Sequence, residues 1–281
     1  GGVGKTRLAL APKQNHWWHV PLYVSARGLT TSPVPYGTRA FEVEFDFIGH
    51  RLVVETSDGA IREMALRPQT VADFYREYMA VLAGLGITVK LWPVPVEIEN
   101  AIPFLEDRTH AAYDADHAQR FFRMLLQADR ITKRFQGRFL GKTSPVHVFW
   151  GAPDLAVTRF SGRRAPEHPG GVPNLPDRVT RDAYSHEVSS CGFWPGGAPA
   201  PYPLFYSYAY PEPLHFREAD IAPDGARFDP DFGEFVLPYA AVRASADPAA
   251  MLMEFLDATY AVAADLAHWD RAALERAAVA P

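Results

Sequence analysis

From Phe41 to Phe47 apolar and acidic residues alternate without a break, with Phe41, Val43, Phe45 and Phe47 on one side and Glu42, Glu44 and Asp46 on the other. Period two is the side-chain period of a strand with one buried face. A purely parallel sheet would bury both faces, so this run commits the chain to antiparallel pairing. The acidic side is expected to be solvated and paired across the sheet with Arg51 or Arg62. Downstream, residues 52–55 and 61–66 flank Asp58-Gly59, the dipeptide of a tight hairpin, so a meander follows. Upstream, residues 7–11, the turn residues 12–15 and residues 16–26 read as a further hairpin. Its second strand would turn Trp18, Val20, Leu22, Val24 and Ala26 inward. Trp17, His19, Tyr23, Ser25 and Arg27 would form the opposite face.

Three stretches carry the other period. Thr70 with Asp73 forms a capping-box-like start, and Val71, Phe74, Tyr75, Tyr78, Leu82 and Leu85 make an apolar stripe that Gly84 and Gly86 stop. A second helix runs over about residues 114–136, and a third begins at Asp247-Pro248. The expected class is therefore α+β, with largely antiparallel sheets and amphipathic helices packed on one side. The 281 residues fit a single compact domain over 1–281. Two halves, about 4–90 and 141–267, echo each other in order: Gly4-Lys5-Thr6 and Gly141-Lys142-Thr143 each precede a strand, and each half closes with a helix. An internal duplication with pseudo-two-fold symmetry, joined by a helical connector over about 100–140, is the expectation drawn from that echo.

Composition narrows the partners. A net charge of -5 arises from interspersed signs with no basic stripe, which argues against nucleic acid. No apolar run approaches the ~20 residues that span a bilayer, so no membrane is expected. The single cysteine, Cys191, cannot form an internal disulfide and suits the cytoplasm. Of the 25 prolines, ten fall between Arg163 and Pro213, a stretch that reads as long ordered loops around short strands.

Several motifs invite chemistry and admit a plainer account. Gly1-Gly2-Val3-Gly4-Lys5-Thr6 looks like the end of a phosphate-binding loop, but it lacks the preceding strand and first glycine, and Pro12 closes any helix after it early. His16-x-x-His19 has odd spacing, which sends strand side chains to opposite faces, so the pair could share one ion only where a bulge or the preceding turn breaks the alternation; a site assembled from distant segments, His16 or His19 with His147 and His186 or Glu187, is sterically freer. No metal is assigned, and the cofactor is unknown. Glu106, Asp107, His110, Asp114, Asp116 and His117 suit a helix start better than an ion. Cys191 reads as a small buried thiol rather than a nucleophile. Ser185-His186-Glu187 are adjacent and cannot line up as a triad. Arg159, Arg163 and Arg164 around Ser161-Gly162 form a candidate anion clamp.

Taken together, residues 15–37 (NHWWHVPLYVSARGLTTSPVPYG), 67–75 (RPQTVADFY), 144–165 and 183–197 (AYSHEVSSCGFWPGG) resemble a family of bacterial proteins classed only as a domain of unknown function. The similarity runs from about Lys5 to the region of Ala273. It implies no activity, cofactor or catalytic residue. It does imply a further segment ahead of Gly1, so that Gly1-Gly2 reads as a truncation point.

Histidine beside tryptophan in strand-like sequence walls a cavity more readily than it faces bulk water. The segments 15–19, 146–151 and 185–196 have that character. The functional expectation is small-molecule binding in a cavity lined by Trp17, His19, Tyr23, His147, Arg159, Arg163, His186 and Trp194, with histidine acid–base chemistry if the protein is an enzyme. The alternative is an interaction or scaffold protein in which Trp194, Pro195 and the tyrosines of residues 205–210 form an exposed docking patch.

Overall fold

A computed structural model describes residues 1–197 and 200–277. The chain forms two compact units, the first made of Gly1–Leu126, Val148–Ala152 and Gly170–Val179, the second of Gln127–His147, Pro153–Pro169 and Thr180–Pro281. The architecture is α+β with antiparallel sheets.

The first unit opens with α1 (Gly2–Leu10), then β1 (Tyr23–Val24), β2 (Gly28–Thr30), β3 (Val34–Tyr36), β4 (Arg39–Asp46), β5 (Arg51–Thr56), β6 (Ile61–Ala65) and α2 (Val71–Gly84). The sheet order is β1-β2-β4-β5-β6, with β3 pairing on β4 beside β2. The alternating run is the long strand β4, and it gives one half of its edge to β2 and the other to β3. Gly28 makes the first contact possible, because a Cβ there would lie 1.8 Å from the Phe45 carbonyl oxygen. The Asp58-Gly59 hairpin joins β5 and β6, with Gly59 at φ 89°. Thr70 caps α2, its hydroxyl accepting the Asp73 N–H.

The acidic face differs from its expectation at one position. Asp46 is 0% exposed, and its carboxylate accepts N–H groups of Ile48 and Gly49 and the guanidinium groups of Arg27 and Arg51. Burial alone would raise its pKa, but the Gly49 N–H, Arg27, the Ile48 N–H and Arg51 together hold it down at about 2. The expected partner Arg51 is there; the solvation is not, because the turn after β4 folds its N–H groups over the strand end.

The start of the chain departs further. In place of a hairpin, residues 2–10 are helical and β1 is two residues long. His16 and Trp17 take left-handed backbone angles, φ 55° and 63°, inside a 3₁₀ turn over Asn15–Trp17. The apparent alternation of Trp18, Val20 and Leu22 is thus not strand periodicity, and Trp17, His19 and Tyr23 do not lie along one strand face. The helix stops where Pro12 removes the next donor.

The chain passes from the first unit to the second within α3 (Ala115–Gly137). The second sheet runs β11-β12-β10-β9-β8-β7, built from β7 (His147–Val148), β8 (Leu155–Arg164), β9 (His186–Trp194), β10 (Leu204–Tyr210), β11 (Arg227–Asp229) and β12 (Glu234–Pro238). A short α4 (Asp177–Ala183) precedes β9, and α5 (Tyr239–Ala244), α6 (Pro248–Leu266) and α7 (Arg271–Leu274) close the chain. Asp247 caps α6 by accepting the Ala249 and Ala250 N–H groups, and α6 packs on β9 and β10. The two sheets differ in connectivity, the first branched at β4 and the second a simple path, and do not confirm a duplication.

Candidate functional site

Helix α1 is buried on nearly every side, and each polar residue of the run Lys5-Thr6-Arg7 ties a different segment to it. Thr6 accepts the Tyr78 hydroxyl of α2 at 2.9 Å. Arg7 donates to the Pro21 carbonyl and lies 4.9 Å from the Tyr23 ring. Lys5 donates to the Val94 carbonyl at 2.6 Å. Gly4 faces the indole of Trp150, whose Nε1 would be 2.1 Å from a Cβ there, so only glycine lets helix and ring approach.

Trp150 is fixed twice. Its Nε1 donates to the Val20 carbonyl at 3.0 Å, and Leu22 and Val148 exchange backbone hydrogen bonds of 2.8 and 2.7 Å just behind it. Trp17 is fixed by its strained turn. The backbone bonds Trp17 N–H to Gln14 and Val20 N–H to Trp17 close the loop, and the Gln14 N–H donates to His19 Nδ1. The His19 ring then supports the Trp17 indole at 5.4 Å. Two left-handed non-glycine residues in succession cost of order 1–3 kcal/mol each, and such strain persists where a side chain must be presented. The Trp17 Nε1–H is buried without an acceptor.

These pieces border an open-mouthed cavity of about 720 Å³ lying within the first unit. Trp17, Trp92, Phe149 and Trp150 provide its aromatic walls, with Leu8, Val20, Leu91 and Val96 among the aliphatic ones. The exposed mouth carries Lys90, Glu97 and Arg178, and Trp92 at 69% exposure stands at the rim. Residues 97–98 are held to the facing loop by the Glu97 N–H donating to Pro173 and Asn174 donating to Ile98. Lys5 is the buried charged residue of the lining. It is 3% exposed, its ammonium lies 5.7 Å from the Phe104 ring, and burial pushes its pKa down to about 8. Among the described residues Val94 is its one hydrogen-bond acceptor.

Of the sequence-derived candidates, Trp17 lines this cavity and His19 stands behind it. Tyr23 stacks on Arg7. The other five belong to the second unit or its strands. His147 is buried at 2% exposure. Arg159 lies among Phe135, Phe139 and Tyr260, at 3.4, 5.0 and 4.3 Å from their centroids. Arg163 binds Glu187 and the Ala267 and His268 carbonyls after α6. His186 Nδ1 is 3.1 Å from the Ser185 hydroxyl, and Trp194 donates to Ala200. No histidine lines the cavity. Cys191 sits mid-strand in β9, and burial pushes its thiol up to about 12, which suits packing and not nucleophilic attack. Among the described residues no three histidine, cysteine, aspartate or glutamate side chains gather as a metal site requires.

Sequence reasoning missed Lys5, Trp92 and Arg178. Lys5 falls within the phosphate-loop resemblance, and residues 91–96 (LWPVPV) are coil without any period. Alternating prolines beside a tryptophan were the one available signal there.

Among the described residues no helix is long and apolar enough to cross a membrane. No curated protein and no solved structure matches the chain. The chain belongs to a family of unknown function, DUF5996, whose model matches residues 2–276.

Proposed function

We propose that this member of the family binds a small, flat, largely apolar molecule carrying an acidic group in the cavity of its first unit. The observation that carries the reading is the combination of about 720 Å³ of space, four aromatic lining residues and Lys5, 3% exposed, among the lining. The volume lies in the range of small-molecule sites, roughly 300–1,000 Å³. Ring faces at Trp17, Trp92, Phe149 and Trp150 favour a flat ligand. Lys5, Lys90 and Arg178 outnumber Glu97 among the charged lining groups, which favours an anion. The histidine acid–base chemistry expected from the sequence finds no group here to perform it. The docking-patch alternative is weakened as well, since Phe205 and Tyr206 are 4% and 8% exposed and Trp194 and Tyr208 pack on the cluster of Leu204, Tyr206 and Val236. A buried single thiol and a net charge of -5 support a cytoplasmic protein without nucleic-acid partners.

The test is a fluorescence titration with 8-anilinonaphthalene-1-sulfonate, an aromatic anion, against the folded protein. Saturable binding near one per chain is expected, weakened at least tenfold by Trp17→Ala and by Lys5→Met. Binding that both variants leave unchanged would refute the site.

A further inference from the structure

We propose that residues 94–103 form a movable flap at the mouth of the cavity, pinned at its base and clasped at its tip, and that the closed flap holds the ligand in place. This deepens the binding reading above, as the regulation of its site, and rests on it. The two ends of the segment meet. Phe104 donates its N–H to the Pro93 carbonyl at 2.8 Å, so residues 94–103 leave the body and return to the same point, as compact surface loops with closed ends do. The base is built into the core. Leu91 and Phe104 are buried against Tyr75, and Lys5 of α1 donates to the Val94 carbonyl at 2.6 Å, which fixes the point where the flap departs. Beyond that point residues 95–103 contain no helix and no strand, and Glu97 and Ile98 are exposed.

The tip is held in another way. The Glu97 N–H donates to the Pro173 carbonyl at 2.9 Å, and the Asn174 side-chain amide donates to the Ile98 carbonyl at 2.6 Å. Pro173 and Asn174 are exposed as well, so water competes for both bonds, and releasing them uncovers little buried apolar surface. The clasp is also strained. Glu97 and Asn174 face each other with left-handed backbone angles, φ 64° and 54°. Asparagine tolerates that region and glutamate does so poorly, and such angles gather at ligand clamps and switch segments, where letting go relieves them. The flap is part of the cavity wall, since Val96 and Glu97 line it and the Glu97 carboxyl group lies where a Cβ at Gly151 would collide with it. Opening the tip therefore takes two lining residues away from the mouth together. A ligand that touches them binds the closed state better than the open one, and so closes the flap on itself.

The experiment is amide hydrogen exchange of the full chain, read by NMR, without ligand and with saturating 8-anilinonaphthalene-1-sulfonate. It compares Glu97, whose N–H closes the tip, with Phe104, whose N–H closes the base. Glu97 should be at least about tenfold less protected than Phe104, and the probe should raise its protection at least about fivefold while Phe104 changes by less than about twofold. Asn174→Gly keeps the left-handed angle and removes the amide that holds Ile98. Without ligand it should lower Glu97 protection at least about fivefold and leave Phe104 within about twofold. In Trp17→Ala, where the probe binds weakly, the same concentration should leave Glu97 as in the free protein. Equal protection of Glu97 and Phe104 in the wild type and in Asn174→Gly would overturn the flap, because tip and base would then open together. Probe binding that depends on Trp17 yet leaves Glu97 unchanged would overturn the flap alone. Absence of any Trp17-dependent binding would overturn the binding reading and, with it, the flap's hold on a ligand.

Discussion

Lys5 in the first unit and Arg159 in the second are each a buried cation, Lys5 beside one aromatic ring and Arg159 among three, and they end in opposite states. The Arg159 guanidinium is flat and lies against the Phe135 ring at 3.4 Å, with Tyr260 at 4.3 Å and Phe139 at 5.0 Å closing the other sides. It fills its box, donates to the Phe135 carbonyl and is 3% exposed, and burial pushes its pKa down to about 10. The Lys5 ammonium is compact and reaches the Val94 carbonyl, and the residue borders the cavity that Trp17 and Trp150 also line. Equal burial therefore does not mark a site. What separates the two is that the guanidinium is packed on three sides by rings, while Lys5 belongs to a helix that borders open volume.

The largest expected effect breaks the closed box. Arg159→Ala empties the space among three rings and strips the Phe135 carbonyl of its partner, and should cost about 3 kcal/mol in a denaturant melt, with probe binding per folded molecule unchanged. A cost below about 1 kcal/mol would show that the rings close over the gap and that the filled box was not what holds them. The next effect breaks the open one. In Gly4→Ala the new Cβ would sit 2.1 Å from Trp150 Nε1 and 2.3 Å from its Cδ1. The indole cannot yield while it donates to Val20, so about 2 kcal/mol of stability and most of the cavity binding should go together. Retained binding in the alanine variant would mean that Trp150 is not a wall.

How far this contrast was legible in the sequence follows from where the forces act. The alternation of 41–47, the Asp58-Gly59 hairpin and the caps at Thr70 and Asp247 are local rules, and each element formed where its pattern lay. Helix α1 carries no such pattern, because its buried run Lys5-Thr6-Arg7 is polar and its partners, Val94, Tyr78 and Pro21, are distant or beyond a turn. Residues 16–22 mimic a strand until two positive φ angles are known. The tryptophans at 17 and 150 were visible as unusual, and they are walls; that Arg159 was filler and Lys5 was not is a fact of volume, which spacing does not encode.

The two units should also titrate with opposite signs. In the second, burial raises Asp154 to about 6 and Glu234 to about 8, the latter helped by the charge of Asp154. The folded chain then binds protons where the unfolded chain, with values of 3.8 and 4.5, has released them. Stability contributed by this pair is present in acid and falls as pH rises from about 4 to 8. Glu234→Gln should flatten that fall and gain about 1 to 2 kcal/mol at pH 8, measured by urea melts across pH. A slope unchanged by the substitution would place its origin elsewhere.

Lys5 should give the smallest change and the opposite slope. Its pKa is lowered from 10.5 to about 8, so between those values the unfolded chain holds a proton that the folded chain has lost. Stability therefore rises with pH from about 8 to 10.5, and below 8 the full desolvation cost remains in the fold. Lys5→Met keeps the stem's apolar contacts and removes the buried ammonium, at the expense of the bond to Val94. The net should be a gain on the order of 1 kcal/mol at pH 7 that shrinks to nothing near pH 10.5. A residue that stabilises the fold when removed, yet whose removal weakens binding at least tenfold, is held in place by function and not by packing. Loss of stability in Lys5→Met at pH 7 would erase the distinction from Arg159 and make Lys5 a structural cation as well.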